Sequence, residues 1–464
     1  MLLEEPHESG GSGRAVFHAA RIRGPPLLPY DRCHMSTETA HPARDLAPSS
    51  ALPLAYYVLA HMAFGGALLA LAVNPSLPGG SFYQSRFAAL VHLVTIGWIS
   101  GSILGSFYIV APLALGMSMK VGLTDWITFV SFAAGTGLMV GALWTGRYDS
   151  VAWAGLLVSV AIAWVAVRAA RGMPRSSAPG GVTLHVALAF LNILAAAALG
   201  VLVALDRSRG FLGLSPLAVT FAHIHLAAGG WAAMMVVGLA YRLIPMMLPS
   251  AMPTGGGLAI SAILMETGLV VLVLTLLGDA TWTALGWMLM GGGLVSFAVQ
   301  MRRSVGRRMP RPPALPSRDW SPWQAHAALV WLLLAAAAGG ALAFGVGAEW
   351  RLRLMWIYGF ASILGFLGQI IAGIQGRLVP FYAWYRAFAA LGRPPARGAN
   401  ALPSALLARR IFFAWTAGLP LLGIGLTFEL PVLIRLGAST LGLGVLLGAG
   451  YLLHMLRAAK SPAA

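Results

Sequence analysis

Apolar runs long enough to cross a membrane recur along the chain from residue 51 onward. A helix of about twenty apolar residues crosses a hydrocarbon core of about 30 Å. Separate apolar runs must satisfy their backbone polar groups internally, which requires α-helix. The pattern predicts about twelve transmembrane helices, near 51–74, 86–115, 124–145, 149–170, 181–205, 215–248, 256–278, 281–301, 321–345, 351–384, 409–427 and 431–457.

Basic residues are unevenly divided between the two sets of connections, and this division predicts the orientation. If both termini lie on one side, that side receives the arginines of 302–318, of 386–410 and of the C-terminal end. Few basic residues remain on the other side. An excess of Lys and Arg marks the cytoplasmic side. We therefore predict a multi-pass protein of the inner (cytoplasmic) membrane, with both termini cytoplasmic.

The composition excludes a soluble domain. Of the 464 residues, 58% are hydrophobic and only 10% are charged, whereas soluble domains carry roughly a quarter of charged residues. The net charge of +17 would indicate nucleic acid in a soluble protein. Here the basic residues lie between apolar runs, so we expect contact with anionic lipid and no nucleic-acid partner.

The N-terminal part differs from the rest. Residues 1–50 are polar and rich in Gly, Pro and Arg, without the apolar stretch of a secretory signal. They are expected to form a disordered cytoplasmic segment before a single transmembrane domain at 51–464. Alternatively, residues 1–34 precede the true start and Met35 opens the chain. Cys33 is the only cysteine, so any heme is held without a covalent CxxCH attachment.

An internal repeat relates the second, sixth and tenth spans. Counted from His92 and from His225, glycine follows at +5 and +13, tryptophan at +6, tyrosine at +16 and proline at +20. The tenth span keeps most of this pattern from Phe360, with phenylalanine in the histidine position. The spacing of four helices predicts three four-helix units arranged with pseudo-threefold symmetry.

His92 and His225 are candidate ligands because they occupy one repeat position on two related helices. Intramembrane histidines are usually paired with a polar group or functional, and imidazole binds heme iron. Two imidazoles at one depth could bind one iron from both sides, with Trp98 and Trp231 against the edge of the heme. The alternative is a pair of histidines that only bridge or cap helices. His223 would face the opposite side of its helix from His225.

A second histidine set lies in the first, fifth and ninth spans and is less well matched in phase: His61, His185 and His326. These three residues are candidates for copper binding or a proton relay, or alternatively for polar helix packing. Glu266 is a mid-membrane carboxyl that we expect to be protonated and hydrogen-bonded, or alternatively to belong to a proton path.

The sixth-span sequence from His223-Ile224-His225 through Gly230-Trp231, Gly238, Tyr241 and Pro245 resembles the tenth-helix motif of the heme-copper oxidase catalytic subunit. The likeness is closest to the cbb3-type branch. The resemblance implies that His223 ligates a high-spin heme, and that His225 and His92 ligate a low-spin heme. It also implies a twelve-helix fold with three pseudo-symmetric units and partners from the respiratory chain.

The chain departs from that family in the place of the motif, on the sixth rather than the tenth span, and in the copper ligands. It has no His-His pair and no His-x-x-x-Tyr sequence. It also resembles the NnrS-type heme and copper membrane proteins. The resulting hypothesis is a membrane protein that binds b-type heme and transfers electrons, or handles nitric oxide or oxygen. The alternatives are a cofactor-free transporter or assembly factor, and a copper-handling protein.

Overall fold

The computed structural model describes residues 50–79, 84–310 and 319–460. The expectations for the N-terminal segment, the start at Met35 and Cys33 lie outside these residues, apart from position 50. The described residues form helices and connections, with an isolated bridge between Ser250 and Arg308 in place of any strand. The prediction of an all-α protein is confirmed for this part of the chain.

Twelve helices of the described residues are long and apolar enough to cross a membrane, as the hydrophobic pattern predicts. Many outward apolar side chains are exposed, for example Met62 and Leu446, which is the surface that a lipid bilayer requires. The helices are α1 Leu52–Val73, α2 Ser85–Leu115, α3 Leu123–Trp144, α4 Tyr148–Gly172, α5 Gly180–Arg209, α6 Pro216–Met247, α7 Gly257–Leu277, α8 Thr283–Val305, α9 Ser321–Phe344, α10 Ala348–Leu391, α11 Ala405–Thr427 and α12 Pro431–Ala458.

Nine of these helices form a closed ring around the other three. Neighbours contact each other around the ring in the order α1, α3, α4, α5, α7, α8, α9, α11, α12 and back to α1. The inner helices are α2, α6 and α10, and all three contact one another. Each inner helix also packs against the helix that precedes it in the chain. The same order of contacts thus occurs three times along the sequence.

Each inner helix contains an eight-residue π-helical segment. The segments are Leu93–Ser100 in α2, Leu226–Ala233 in α6 and Ala361–Gly368 in α10. Each begins one residue after the repeat residue His92, His225 or Phe360. The three segments contact one another, and the α-helical part of α2 that follows its segment also contacts the corresponding parts of α6 and α10. The sequence analysis did not predict them. They widen the helix locally, and such segments are frequent at functional sites.

The repeated glycines are places where an inner helix touches the preceding outer helix too closely for a Cβ atom. The +5 glycines Gly97, Gly230 and Gly365 lie against Ala63, Asn192 and Trp331. The +13 glycines lie against three side chains that stand seven residues earlier on the same outer helices, namely Tyr56, His185 and Gln324. The packing register of α1, α5 and α9 is therefore the same. The pseudo-threefold relation between whole units stays a prediction.

Candidate functional site

His92 and His223 lie side by side where α2 and α6 meet. Their ring centroids are 6.4 Å apart and their planes differ by 18°. The sequence analysis paired His92 with His225 instead, because those two share the repeat position. The structure brings together the residue at the repeat position of α2 and the residue two places before it on α6.

Both imidazoles are fixed by main-chain carbonyls. Nδ1 of His92 is 2.7 Å from the carbonyl oxygen of Ala88, and Nδ1 of His223 is 2.8 Å from that of Ala196 on α5. A carbonyl oxygen can only accept a hydrogen bond, so Nδ1 carries the proton in the neutral ring. Nε2 of each ring therefore keeps its lone pair, which is the form in which imidazole binds a metal.

The distance between the two ring centroids is similar to that of two imidazoles that hold one metal ion between them. With an imidazole–metal bond of about 2.0 Å on each side and ring centres about 1.1 Å beyond the nitrogens, the centroids lie about 6 Å apart. The observed 6.4 Å meets this requirement. Two histidines suffice for a heme iron, whose other four ligands come from the porphyrin. The donor set therefore fits a b-type heme.

The histidines stand beside accessible space although their helices are the inner ones. Residues 91–96 of α2, 223–229 of α6 and 354–359 of α10 are all partly exposed. The next part of each inner helix is buried, from Gly97 to Gly105 in α2 and from Gly365 in α10. Burial begins within the π-helical segments of all three helices. We call the accessible space beside the three partly exposed stretches the recess. A flat cofactor needs room of this kind beside its ligands.

His225 contacts Tyr358 of α10 rather than a second histidine. The two rings stack 5.8 Å apart. Because Nδ1 of His225 donates to the carbonyl of Phe221, Nε2 accepts a hydrogen bond from the Tyr358 hydroxyl at 3.2 Å. The sequence analysis missed Tyr358. The spacing in the sequence could have indicated this residue, because Tyr358 precedes Phe360 by two residues just as His223 precedes His225.

These two pairs follow one rule around the centre. His92 pairs with the residue two places before His225, and His225 pairs with the residue two places before Phe360. The repeat residue of one inner helix thus contacts the next inner helix in the chain. The first pair consists of two imidazoles and the second of an imidazole and a phenol, so they differ in what they can ligate.

Trp98 and Trp231 lie in helix interfaces rather than against the histidine pair. Trp98 is almost fully buried and packs against His61, Phe64 and Trp415. Trp231 packs against Phe190 and donates from Nε1 to the Ser100 hydroxyl at 3.1 Å. The expectation that both rings contact a heme edge stays a prediction.

The second histidine set is not brought together. His61 lies against Trp98, His185 bonds through Nε2 to Ser261 at 3.0 Å, and His326 is exposed. By the glycine register, His185 corresponds to Tyr56 and Gln324, so the three histidines do not share a repeat position. Within the described ranges, no three His, Cys, Asp or Glu side chains are grouped to bind a metal. The geometry favours polar helix packing for these residues.

Glu266 is hydrogen-bonded, as expected. Its carboxyl lies 2.7 Å from the Asn192 side-chain nitrogen, which also donates to the carbonyl of Gly230 at 3.3 Å. Asn192 therefore links the middle of α7 to the π-helical segment of α6. The contact ties a polar group in the membrane to the helix that carries His223 and His225.

A small cavity lies between His61, Trp98 and residues of α9 to α12. Its volume is about 50 Å³, enough for a few water molecules. Two of its buried donors, Trp98 Nε1 and Gln324 Nε2, have no hydrogen-bond partner among the described residues. Water would satisfy both groups. The cavity lies apart from the histidine pair and shares no lining residue with it.

Comparison with protein-family models and with curated protein sequences gave no match. The paired geometry of His92 and His223 is the feature of the described residues that points to a function.

Proposed function

We propose that the protein is a membrane cytochrome that binds a b-type heme between His92 and His223 and transfers single electrons. The observation that supports this proposal is the pair of nearly parallel imidazole rings, whose centroids are 6.4 Å apart. Nδ1 of each ring is hydrogen-bonded to a main-chain carbonyl. His92 and His223 would hold the heme, and the heme would supply one-electron exchange.

The residues around the pair keep both imidazoles in place. The Ala88 and Ala196 carbonyls fix which nitrogen is protonated and how each ring is turned. Such outer hydrogen bonds orient metal ligands and raise their basicity. Because neither imidazole must move or change its proton on Nδ1, electron exchange at this site requires little rearrangement of the protein.

The heme-copper-oxidase-like architecture is part of the same proposal. It is supported by the ring of nine helices around three, the three π-helical segments at one repeat position and the shared glycine register. The ligand pair differs from the one that the family resemblance implies, because His223 takes the place of His225. Electron-donating cytochromes or other respiratory subunits are the partners that this function requires.

The test is a reduced-minus-oxidised visible spectrum of the detergent-purified protein, with a pyridine hemochrome assay on the same sample. We expect a sharp low-spin b-type signal in the wild type. His92→Ala and His223→Ala should each abolish it, because one imidazole cannot keep the iron low-spin. His454→Ala, on the exposed face of α12, is the control.

His225→Ala separates the two possible pairings. If His92 and His223 are the ligands, this variant keeps the low-spin signal, because it removes only the partner of Tyr358. Loss of the signal in His225→Ala with retention in His223→Ala would restore the pairing that the resemblance implies. Gel filtration of each variant checks that the protein is folded.

Two other outcomes would change the function. A carbon monoxide adduct in the wild type would show an open iron position and favour handling of a small gas such as nitric oxide or oxygen. Absence of heme after expression with adequate heme supply would overturn the cytochrome proposal. The transporter or assembly-factor alternative would then explain the fold, and bound copper without heme would favour copper handling.

A further inference from the structure

Glu266 lies near the middle of α7 and is partly exposed. The other acids among the residues that the structure describes lie in connections or within the first or last turn of a helix: Asp125, Asp149, Asp206, Asp279, Asp319, Glu349 and Glu429. An ionised carboxyl group in the middle of a membrane is costly, so such a residue usually has a function. Electron exchange between His92 and His223 does not by itself give Glu266 one.

Asn192 connects Glu266 to the part of α5 that anchors His223. Its side-chain nitrogen lies 2.7 Å from Oε2 of Glu266. Ala196, whose carbonyl is hydrogen-bonded to Nδ1 of His223, follows one turn later on α5. One turn and the reach of the two side chains place the carboxyl on the order of 10–15 Å from the His223 ring. The two groups are therefore close enough to interact electrostatically.

The two proposed ligands cannot take up a proton when an electron arrives. Nδ1 of His92 and of His223 already carries a proton and donates it to a main-chain carbonyl, and Nε2 would bind the metal. One electron added between these neutral rings therefore changes the local charge by one unit. A low-dielectric interior disfavours an uncompensated charge, and uptake of a proton by a nearby group would balance it.

The helices packed against α7 are α5, α6 and α8, and they leave Glu266 as the group that can gain this proton. Both ring nitrogens of His185 and of His225 are hydrogen-bonded, and so is the hydroxyl group of Tyr241. The charged side chains of these helices lie toward the helix ends: Asp206, Arg207 and Arg209 on α5, Arg242 on α6, and Arg302 and Arg303 on α8.

We infer that Glu266 binds a proton when an electron enters the site between His92 and His223 and releases it when the electron leaves; this inference rests on the proposed function. The electron comes from the cytochrome or respiratory subunit that this function requires. The proton comes from water and converts the carboxylate to the carboxylic acid. At 10–15 Å and an effective dielectric constant of about 20, one unit of charge changes the proton affinity of the carboxyl roughly tenfold.

The test is a redox titration of the purified wild type at several pH values, read from the low-spin heme signal. A tenfold change in affinity corresponds to about 59 mV for one electron, so the midpoint potential should fall by about that amount from acid to alkaline pH. Glu266→Gln is neutral at every pH, so its potential should be independent of pH and close to the acid value of the wild type. Glu429→Gln, exposed in the α11–α12 connection, is the matched control and should keep the pH dependence.

Labelling with dicyclohexylcarbodiimide gives a second readout, because this apolar reagent reacts with a protonated carboxyl that is accessible from the membrane. Mass spectrometry of the peptide that contains Glu266 should show labelling up to about tenfold faster in the reduced than in the oxidised protein. In His92→Ala, which lacks the low-spin heme on the proposed function, addition of reductant should not change the rate. Equal rates in both oxidation states of the wild type overturn the inference.

The titration separates this inference from the proposed function. A low-spin signal whose potential does not change with pH overturns the inference alone, and so does a pH dependence that persists in Glu266→Gln. Absence of the low-spin signal in the wild type overturns both.

Discussion

His92 and His223 are anchored in different ways. The carbonyl that fixes His92 belongs to its own helix, whereas the carbonyl that fixes His223 belongs to Ala196 of α5. The ring of His223 therefore lies on the surface of α5, with Gly200 directly beneath its Cε1 and Nδ1 atoms. A small residue on an outer helix thus determines how close one proposed ligand comes to the other.

Gly200→Ala should displace the His223 ring, because the new methyl group would lie about 2.8 Å from its Cε1 atom. On the proposed function, we expect reduced heme content and a shift of the low-spin signal, measured on the purified protein by its visible spectrum. Gly137→Ala is the matched control, since Gly137 is also within a helix and a methyl group there meets open space. Equal spectra for the two variants would contradict this role of Gly200.

The sequence identified the histidines but not their pairing. Periodicity shows that His92 and His225 share a repeat position, and equivalent residues were expected to meet. At the centre of three helices, however, a residue meets the side of the neighbouring helix that faces it, which here is two residues earlier. The partner of His225 is the phenol of Tyr358, a residue type that a search for histidine ligands does not select.

At the level of the elements, a side-chain hydrogen bond joins two of the three π-helical segments. Trp231 in the α6 segment donates to Ser100 in the α2 segment at 3.1 Å, and both side chains are buried. The Ser100 hydroxyl donates in turn to the carbonyl of Thr95. The two helices that carry the proposed ligands are therefore connected just beyond the histidine pair.

Ser100→Ala should destabilise the protein by about 1–3 kcal/mol, because it leaves the indole N–H of Trp231 buried and unpaired. The double variant Ser100→Ala/Trp231→Phe removes both polar groups, so we expect less destabilisation than the sum of the two single variants. Thermal unfolding in detergent measures all three. Additive effects would show that the hydrogen bond does not couple the two helices.

Span positions were predictable because a bilayer permits few alternatives. Each predicted run matches one observed helix, and most ends agree within a few residues. The π-helical segments were not predictable, since a shift from i+4 to i+5 hydrogen bonding leaves no mark in hydrophobicity. The glycine offsets were visible in the sequence, but their contacts with Tyr56, His185 and Gln324 depend on how the helices pack.

Across the whole molecule, the ring of nine helices leaves the N-terminal ends of α2, α6 and α10 partly accessible. All three inner helices begin on the same side, because they are even-numbered spans. With the predicted orientation, the recess and the histidine pair lie toward the non-cytoplasmic side. On the proposed function, an electron partner would approach from that side.

Reporter fusions test this orientation. Green fluorescent protein joined after Ala464 should fluoresce, because that end is predicted to be cytoplasmic, where the barrel folds. Alkaline phosphatase joined after Gly210, in the α5–α6 connection, should be active, because the enzyme requires export. Activity of a phosphatase fusion at the C-terminus would reverse the orientation and place the recess in the cytoplasm.

Each π-helical segment also acts as a phase shift within a continuous helix. One extra residue turns the chain by about 100°. The part of the helix that ends at the repeat residue and the part that carries the +13 glycine therefore face different neighbouring helices. Without this shift, a helix that directs its histidine toward the next inner helix would direct its +13 glycine away from the outer helix that the glycine contacts. Shortening such a segment by one residue would therefore misdirect the ligand even though every residue of the site remained in the chain.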